Sequence, residues 1–262
     1  YAARPLAGAQ ELDLGLEHLL PVGSLGHVEH AADLLLQRRD HGGRILIVGD
    51  FDADGATSTA LMVRQLRRLG FADIDFLVPD RFRFGYGLTP EIVRVAASRA
   101  PSLIVTVDNG ISSLDGVAEA KAHGIDVLVT DHHLPGRELP DAAAIVNPNA
   151  PGEAFGSKAL AGVGVAFYVM AALTRRLQAR GLLADARGAN PADLLDLVAL
   201  GTVADVVPLD FNNRILVTQG LRRIRAGRCV AGLRALLESA GRALATVIAQ
   251  DLAFQAGPRL NA

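Results

Sequence analysis

Three aspartates alternate in IVGDFDADGATS (Asp50, Asp52 and Asp54), Asp108 follows an apolar run in VTVDNG, and VLVTDHH ends on Asp131, His132 and His133. Asp205, in LGTVADVVPLD, adds an acid on a stretch with helical spacing. Two carboxylates about 4 Å apart repel by roughly 4 kcal/mol at an effective dielectric near 20. Gathering these six in one cleft therefore implies bound cations. The pattern points to metal-dependent chemistry on a phosphate.

The motifs differ in weight. Alternation on extended backbone would turn Asp50, Asp52 and Asp54 to one side, and the free N–H groups of the helix expected next suit a phosphate. DxDxDG also opens a calcium-binding EF-hand loop, but position twelve, which that loop fills with Glu, is Leu61. VDNG alone reads equally well as a turn. Two adjacent histidines after a buried strand cannot both face the core, so one can bind metal while its neighbour meets substrate, and Asp131 is placed to orient the metal-bound imidazole. Asp205 sits among apolar residues, where an unpaired carboxylate costs several kcal/mol, and metal ligation is preferred over a helix cap. Arg81, Arg83 and Tyr86, among glycines in PDRFRFGYGL, suit a phosphate-gripping loop, with a plain surface loop as the alternative. LRRIRAGR, holding Arg222, Arg223, Arg225 and Arg228, reads as a solvated face or the wall of a nucleic-acid groove.

Composition narrows the field. The chain has 262 residues, 50% of them hydrophobic, and a net charge of −2, so a large core can be buried and no global field attracts nucleic acid. Lys121 and Lys158 are the only lysines, and 5% aromatic content without Trp argues against extended base-stacking surfaces. The single Cys229 excludes an internal disulfide and suits a reducing cytoplasm. No signal peptide is visible, and the Ala159–Thr174 apolar run is too short for a membrane span, so it reads as a buried core helix. An opening on Tyr1 and a close on Gly257-Pro258-Arg259-Leu260-Asn261-Ala262 read as a piece of a longer protein.

Positioning these groups falls to a β/α alternation. Apolar runs at Arg44–Gly49, Ile74–Val78, Leu103–Val107, Asp126–Thr130 and Ala143–Val146 alternate with helical spacing at Thr57–Leu69, Pro90–Ser98 and Ser113–His123. The expected fold is α/β: a five-stranded, mostly parallel sheet flanked by helices, with the acids at its carboxyl edge. Leu134–Ser157 reads as an edge strand and connector. Helices expected at Lys158–Arg180, Pro191–Val203, Asn213–Arg225 and Gly232–Ser239 make a mostly helical second lobe. The division is an N-terminal extension packing on the core (1–42), a sheet lobe with the metal motifs (43–150) and a helical lobe carrying Asp205 (151–262).

In their order, DFDADG, VDNG, DHH and GTVADVVPL resemble the DHH phosphoesterase superfamily. The last phrase, with LAGVGVAFY and GPRLNA, is similar to its bacterial branch of 5′ to 3′ exonucleases specific for single-stranded DNA. The likeness runs from Glu11 to the terminus. It implies that Asp54, Asp108, His132 and Asp205 bind one Mn²⁺ or Mg²⁺ and that Asp52 with Asp108 serves a second ion. Many small-substrate relatives have a His where this chain has Val48, and Asp50 is an added acid that would help the second ion or orient water. His133 would face the scissile phosphate as donor or acid. Arg81, Arg83, Tyr86, Asn109, Arg259 and Asn261 would contact substrate. The implied chemistry is metal-assisted phosphodiester hydrolysis to 5′-mononucleotides in DNA repair and recombination. Relatives in this branch continue into a second domain and an oligonucleotide-binding barrel, which would carry contacts to a single-strand-binding protein and a helicase.

Three other readings remain. DHH relatives also cleave pyrophosphate, short oligonucleotides or cyclic dinucleotides; the phrases after Ser157 favour the exonuclease branch. VGDFDADG resembles the nucleophile motif of haloacid-dehalogenase enzymes, which usually recruit a downstream lysine, yet neither lysine here has a suitable context. A non-catalytic scaffold typically sheds ligands, whereas every expected acid and both histidines are present.

Overall fold

The computed structural model describes residues 9–183 and 188–261. Five strands form one sheet: β1 (Arg44–Gly49), β2 (Ile74–Leu77), β3 (Pro101–Val107), β4 (Asp126–Thr130) and β5 (Ala144–Val146). Their order is β2-β1-β3-β4-β5, with every pair parallel. The order reverses between β1 and β3, the place where open α/β sheets leave a crevice beyond their carboxyl ends.

β1, β3 and β4 bury both faces, as near-continuous Val/Ile/Leu runs require. Ile45, Ile47, Leu103, Val105 and Val107 belong to one apolar cluster with helices α1 (Val28–His41), α2 (Ala53–Arg68) and α6 (Gly162–Ala179). Leu46, Val48, Ile104, Val127 and Val129 form a second cluster with α4 (Pro90–Ala97) and α5 (Leu114–Ala122). A one-turn helix, α3 (Arg81–Phe84), sits in the loop after β2. The chain continues through α7 (Leu195–Ala204), α8 (Phe211–Arg225), α9 (Ala231–Ser239), and the short turns α10 (Ala249–Asp251) and α11 (Gly257–Leu260). α7, α8 and α9 enclose a third apolar cluster around Leu200, Val217 and Leu237. No described helix is long and apolar enough to cross a membrane.

Two features depart from the sequence reading. The 1–42 extension contains the 14-residue α1, whose weakly periodic pattern hid it, although Leu34, Leu35 and Leu36 are all buried; residues 1–8 lie outside the described residues. α2 starts at Ala53, four residues before the expected Thr57, because Asp52 caps it by accepting the Gly55 N–H at 2.9 Å. Asp54 therefore stands on the first helical turn, and the three aspartates do not share one face of an extended segment.

Candidate metal centre

Sheet register sets the acids side by side. Gly49 pairs with Val107 and Val107 with Thr130, so Asp50, Asp108 and Asp131 each follow the end of neighbouring strands. The ladder runs one residue further, with the Asp108 N–H donating to Thr130 O and the Asp131 N–H to Val146 O. Asp108 then turns into the left-handed region at φ 62°, which Asp tolerates better than most residues. This turn accompanies a fully buried carboxylate.

Three further side chains, each from a different element, meet beside it. His132 Nε2 lies 3.1 Å from Asp108 Oδ1, 3.5 Å from Asp205 Oδ2 and 3.9 Å from Asp54 Oδ2. Asp54 comes from the first turn of α2 and Asp205 from the residue ending α7. On the other side of Asp108, Asp50 and Asp52 bring carboxylate oxygens within 4.8 Å of one another and of Asp108. Asp108 thus belongs to both groups of ligand atoms.

The second histidine faces outward. Asp131 Oδ1 accepts His133 Nδ1 at 2.7 Å and the N–H groups of His132 and His133, while Oδ2 accepts the Ile111 N–H. Asp131 therefore orients the His133 ring, not the His132 ring, because its oxygens are fully occupied by the turn it closes. The His133 side chain is 45% exposed against 11% for His132. The Tyr86 hydroxyl sits 3.3 Å from both Asp108 O and His133 Nδ1.

Burial and mutual repulsion shape the electrostatics. Burial first, then Asp108, pushes the Asp54 carboxyl well above the usual range. Burial, followed by Asp52, Asp131, Asp205 and Asp50, does the same to Asp108. Asp205 is raised by burial, partly offset by His132. Asp131 goes the other way: burial raises it, but the His133 hydrogen bond and charge and the backbone N–H groups outweigh that and hold it low. The same hydrogen bond raises His133.

The donor set fits a hard divalent cation. Asp108 Oδ1 and His132 Nε2 are buried, 3.1 Å apart, and make no hydrogen bond, although buried polar atoms are nearly always hydrogen-bonded. A cation between them would satisfy both and remove the repulsion that raises Asp54 and Asp108. Carboxylates with one imidazole suit Mn²⁺ and Mg²⁺.

Of the other residues singled out in the sequence, Asn109 is buried with its amide nitrogen on Val48 O and Val107 O, so it ties β1 to β3. Asn261 Oδ1 accepts the Ala53 N–H at 2.6 Å and touches the loop that carries Asp52 and Asp54. Arg259 donates to Gln255 O. The Arg83 guanidinium lies over the Phe84 ring at 4.9 Å. The Arg81 side chain lies outside the described residues. In the arginine run, Arg223 pairs with Asp193 and Arg225 donates to Val247 O.

Several supports were not singled out as site residues in the sequence, although Gly162 and Val163 lie in the LAGVGVAFY phrase. The N-terminus of α6 gives Asp54 two N–H donors, Gly162 to Oδ2 at 2.7 Å and Val163 to Oδ1 at 2.9 Å. Gly162 must be glycine, since a Cβ there would lie 2.6 Å from Asp108 Oδ1. Asn147 and Asn149, after β5, hold His133 O and His132 O. The sequence signal for these two asparagines was a polar pair just past a buried strand.

Known proteins resemble this chain in sequence and fold. The model of the "DHH family, N-terminal domain" matches residues 44–202. The single-stranded-DNA-specific exonuclease RecJ of Dickeya dadantii is 58% identical over 264 residues, covering 100% of this chain and 46% of the relative. The chain spans about half the length of such curated relatives. A crystal structure of exonuclease RecJ bound to manganese superposes with a TM-score of 0.79 at 40% identity, over 92% of this chain and 58% of the other. RecJ from Thermus thermophilus in complex with Mg²⁺ gives 0.65 at 34% identity, over 97% and 31%.

Proposed function

The chain belongs to the DHH family, and on that premise we propose that it is the catalytic core of a metal-dependent exonuclease that degrades single-stranded DNA from the 5′ end to 5′-mononucleotides. The observation that carries this reading is the convergence of Asp54, Asp108, His132 and Asp205, with buried Asp108 Oδ1 and His132 Nε2 lacking any hydrogen bond. The likeness to RecJ proteins supports the substrate class.

In this reading those four residues hold one Mn²⁺ or Mg²⁺, and Asp50 and Asp52 with Asp108 hold a second. Bound ions supply Lewis acidity at the scissile phosphodiester and make water a nucleophile near neutral pH. His133 stands at the outward edge of the site. Asp131 stays anionic, fixes the ring through Nδ1 and favours the protonated imidazole, so His133 can donate to a phosphate oxygen or the leaving oxygen. The Tyr86 hydroxyl lies beside the ring, 3.3 Å from Nδ1 and 3.4 Å from Nε2, and burial with the charges of Asp131 and Asp108 holds that phenol protonated. Asn109 sets the spacing of β1 and β3 beneath the cluster. Arg83, Arg259 and Asn261, with Arg81, are the substrate contacts of this proposal. The sheet lobe of 43–150 supplies most ligands and the helical lobe of 151–262 supplies Asp205. A cytoplasmic setting, with a single-strand-binding protein and a helicase as partners of the whole protein, completes the reading.

The test is digestion of a single-stranded DNA oligonucleotide labelled at its 3′ end, with Mn²⁺, Mg²⁺ or chelator, beside a duplex and a short RNA. Metal-dependent shortening from the 5′ end with the duplex spared is the expected result. Loss of the short RNA with the DNA intact would move the assignment to a small-substrate hydrolase.

A further inference from the structure

Val206 directly follows Asp205 at the end of α7 and has φ 60°. The position after a helix C-terminus often turns left-handed, and glycine fills it because a Cβ is disfavoured there. A β-branched residue is a still poorer choice. Packing does not explain the valine, since the residue is 84% exposed. Folding alone would favour glycine, so the isopropyl group invites a role outside the fold.

Its surroundings point to a ligand with an apolar face. Leu134 directly follows His133 and is 79% exposed. The half-exposed Tyr86 ring lies edge-on to His133, with centroids 5.8 Å apart. Val206 and Leu134 are thus exposed apolar chain neighbours of Asp205 and His133, and Tyr86 touches the His133 ring. Apolar groups next to the acidic residues suit the uncharged part of a nucleotide, while the phosphate goes to the cluster and its cations. In a duplex the base faces are stacked on one another, whereas a single strand can turn them towards apolar and aromatic side chains.

Resting on the phosphodiesterase reading above, we propose that Val206, with Leu134 and Tyr86, is a nucleobase contact that selects strands with unstacked bases at the 5′ end. Val206 is then a specificity-determining residue, and Asp205 needs nothing from its side chain.

The test compares Val206→Gly and Val206→Ile with the unsubstituted chain. Binding of a fluorescent single strand is read by anisotropy with Ca²⁺ present, and turnover is read with Mn²⁺. Val206→Gly should melt no lower and show the same Mn²⁺ midpoint in a thermal-shift titration. Its binding midpoint and KM should rise roughly fivefold to tenfold, the loss expected for one small apolar contact. Val206→Ile should restore most of that loss. On a strand with abasic 5′-terminal positions the glycine variant and the unsubstituted chain should bind equally poorly. Equal midpoints on the base-bearing strand, or no binding of it by the unsubstituted chain, would overturn the proposal. So would a raised Mn²⁺ midpoint, which would make Val206 a positioner of Asp205. Absence of cleavage by the unsubstituted chain would strike the nuclease reading, while the anisotropy comparison still decides the role of Val206.

Discussion

Replacing Asp108 with Asn separates the charge of the site from its shape. The two side chains are isosteric, and Asn tolerates the φ of 62° at this position. The backbone bond to Thr130 O is untouched. What changes is one buried charge facing Asp50, Asp52, Asp131 and Asp205. Two charges about 5 Å apart repel by roughly 3 kcal/mol at an effective dielectric near 20. Partial protonation of the cluster already relieves some of this, so a net gain of about 1–2 kcal/mol is expected for the cation-free variant. At about 2–4 °C per kcal/mol for a chain of this size, its melting temperature should rise by roughly 2–8 °C. Mn²⁺ at about 100 times its dissociation constant stabilises the unsubstituted protein by about 2.7 kcal/mol, whereas the variant should respond little.

The ranking of the two proteins should therefore invert on adding Mn²⁺, which a thermal-shift titration reads directly. The pH dependence has a defined sign. A carboxyl whose pKa is raised by folding stabilises fully below its unfolded value near 3.9 and loses that contribution as pH rises through the folded value. The advantage of the cation-free variant should grow from acid towards neutral pH. A variant that melts lower without cation, or one that keeps the full Mn²⁺ shift, would refute the assignment of Asp108.

Further substitutions probe the neighbours. Gly162→Ala puts a Cβ 2.6 Å from Asp108 Oδ1; overpacking of about 1–3 kcal/mol should lower the melting temperature and weaken Mn²⁺ binding in calorimetry. His133→Ala should keep the Mn²⁺ shift and lose about 10²–10⁴ in kcat, as removal of a proton donor does; loss of the Mn²⁺ shift instead would mean that the two histidines exchange roles. Asn147→Ala should destabilise by about 1–2 kcal/mol in denaturant titrations, because His133 O loses its donor. An unchanged midpoint would show that Asn147 does not brace the turn.

Legibility in the sequence followed the range of the interactions. The alternation of apolar runs located the five strands to within two residues and implied their carboxyl edge, because the apolar character of a buried strand is a local property. Residues just past strand ends, such as Asp108 and Asp131, were thus legible as lying at one sheet edge, whereas the order and register that make them neighbours were not. Asp54 was legible as a candidate but not in its geometry, since the Asp52 cap that starts α2 early competes with extended backbone and the sequence alone does not decide between them. Asn147 and the α6 N–H groups were illegible, because their roles depend on contacts 14 and 108 residues away. The strain at Val206 was equally hidden, as DVVPL shows no glycine to announce a left-handed turn.

In the proposed site, the position of Asp54 would tie metal binding to the packing of the helical elements. Its two oxygens accept the Gly162 and Val163 N–H groups at the start of the 18-residue α6, where the helix dipole favours negative charge. Gly201 of α7 closes in from another side, and a Cβ there would lie 2.8 Å from Asp54 Oδ1. α7 also delivers Asp205. A shift of α6 or α7 against α2 would therefore misplace Asp54 and separate Asp205 from His132. The two N–H donors ease the cost of burying Asp54, yet burial and Asp108 still raise its pKa. The helices supply enough stabilisation to hold the charge in place and leave part of it unmet, which is the condition a cation can satisfy.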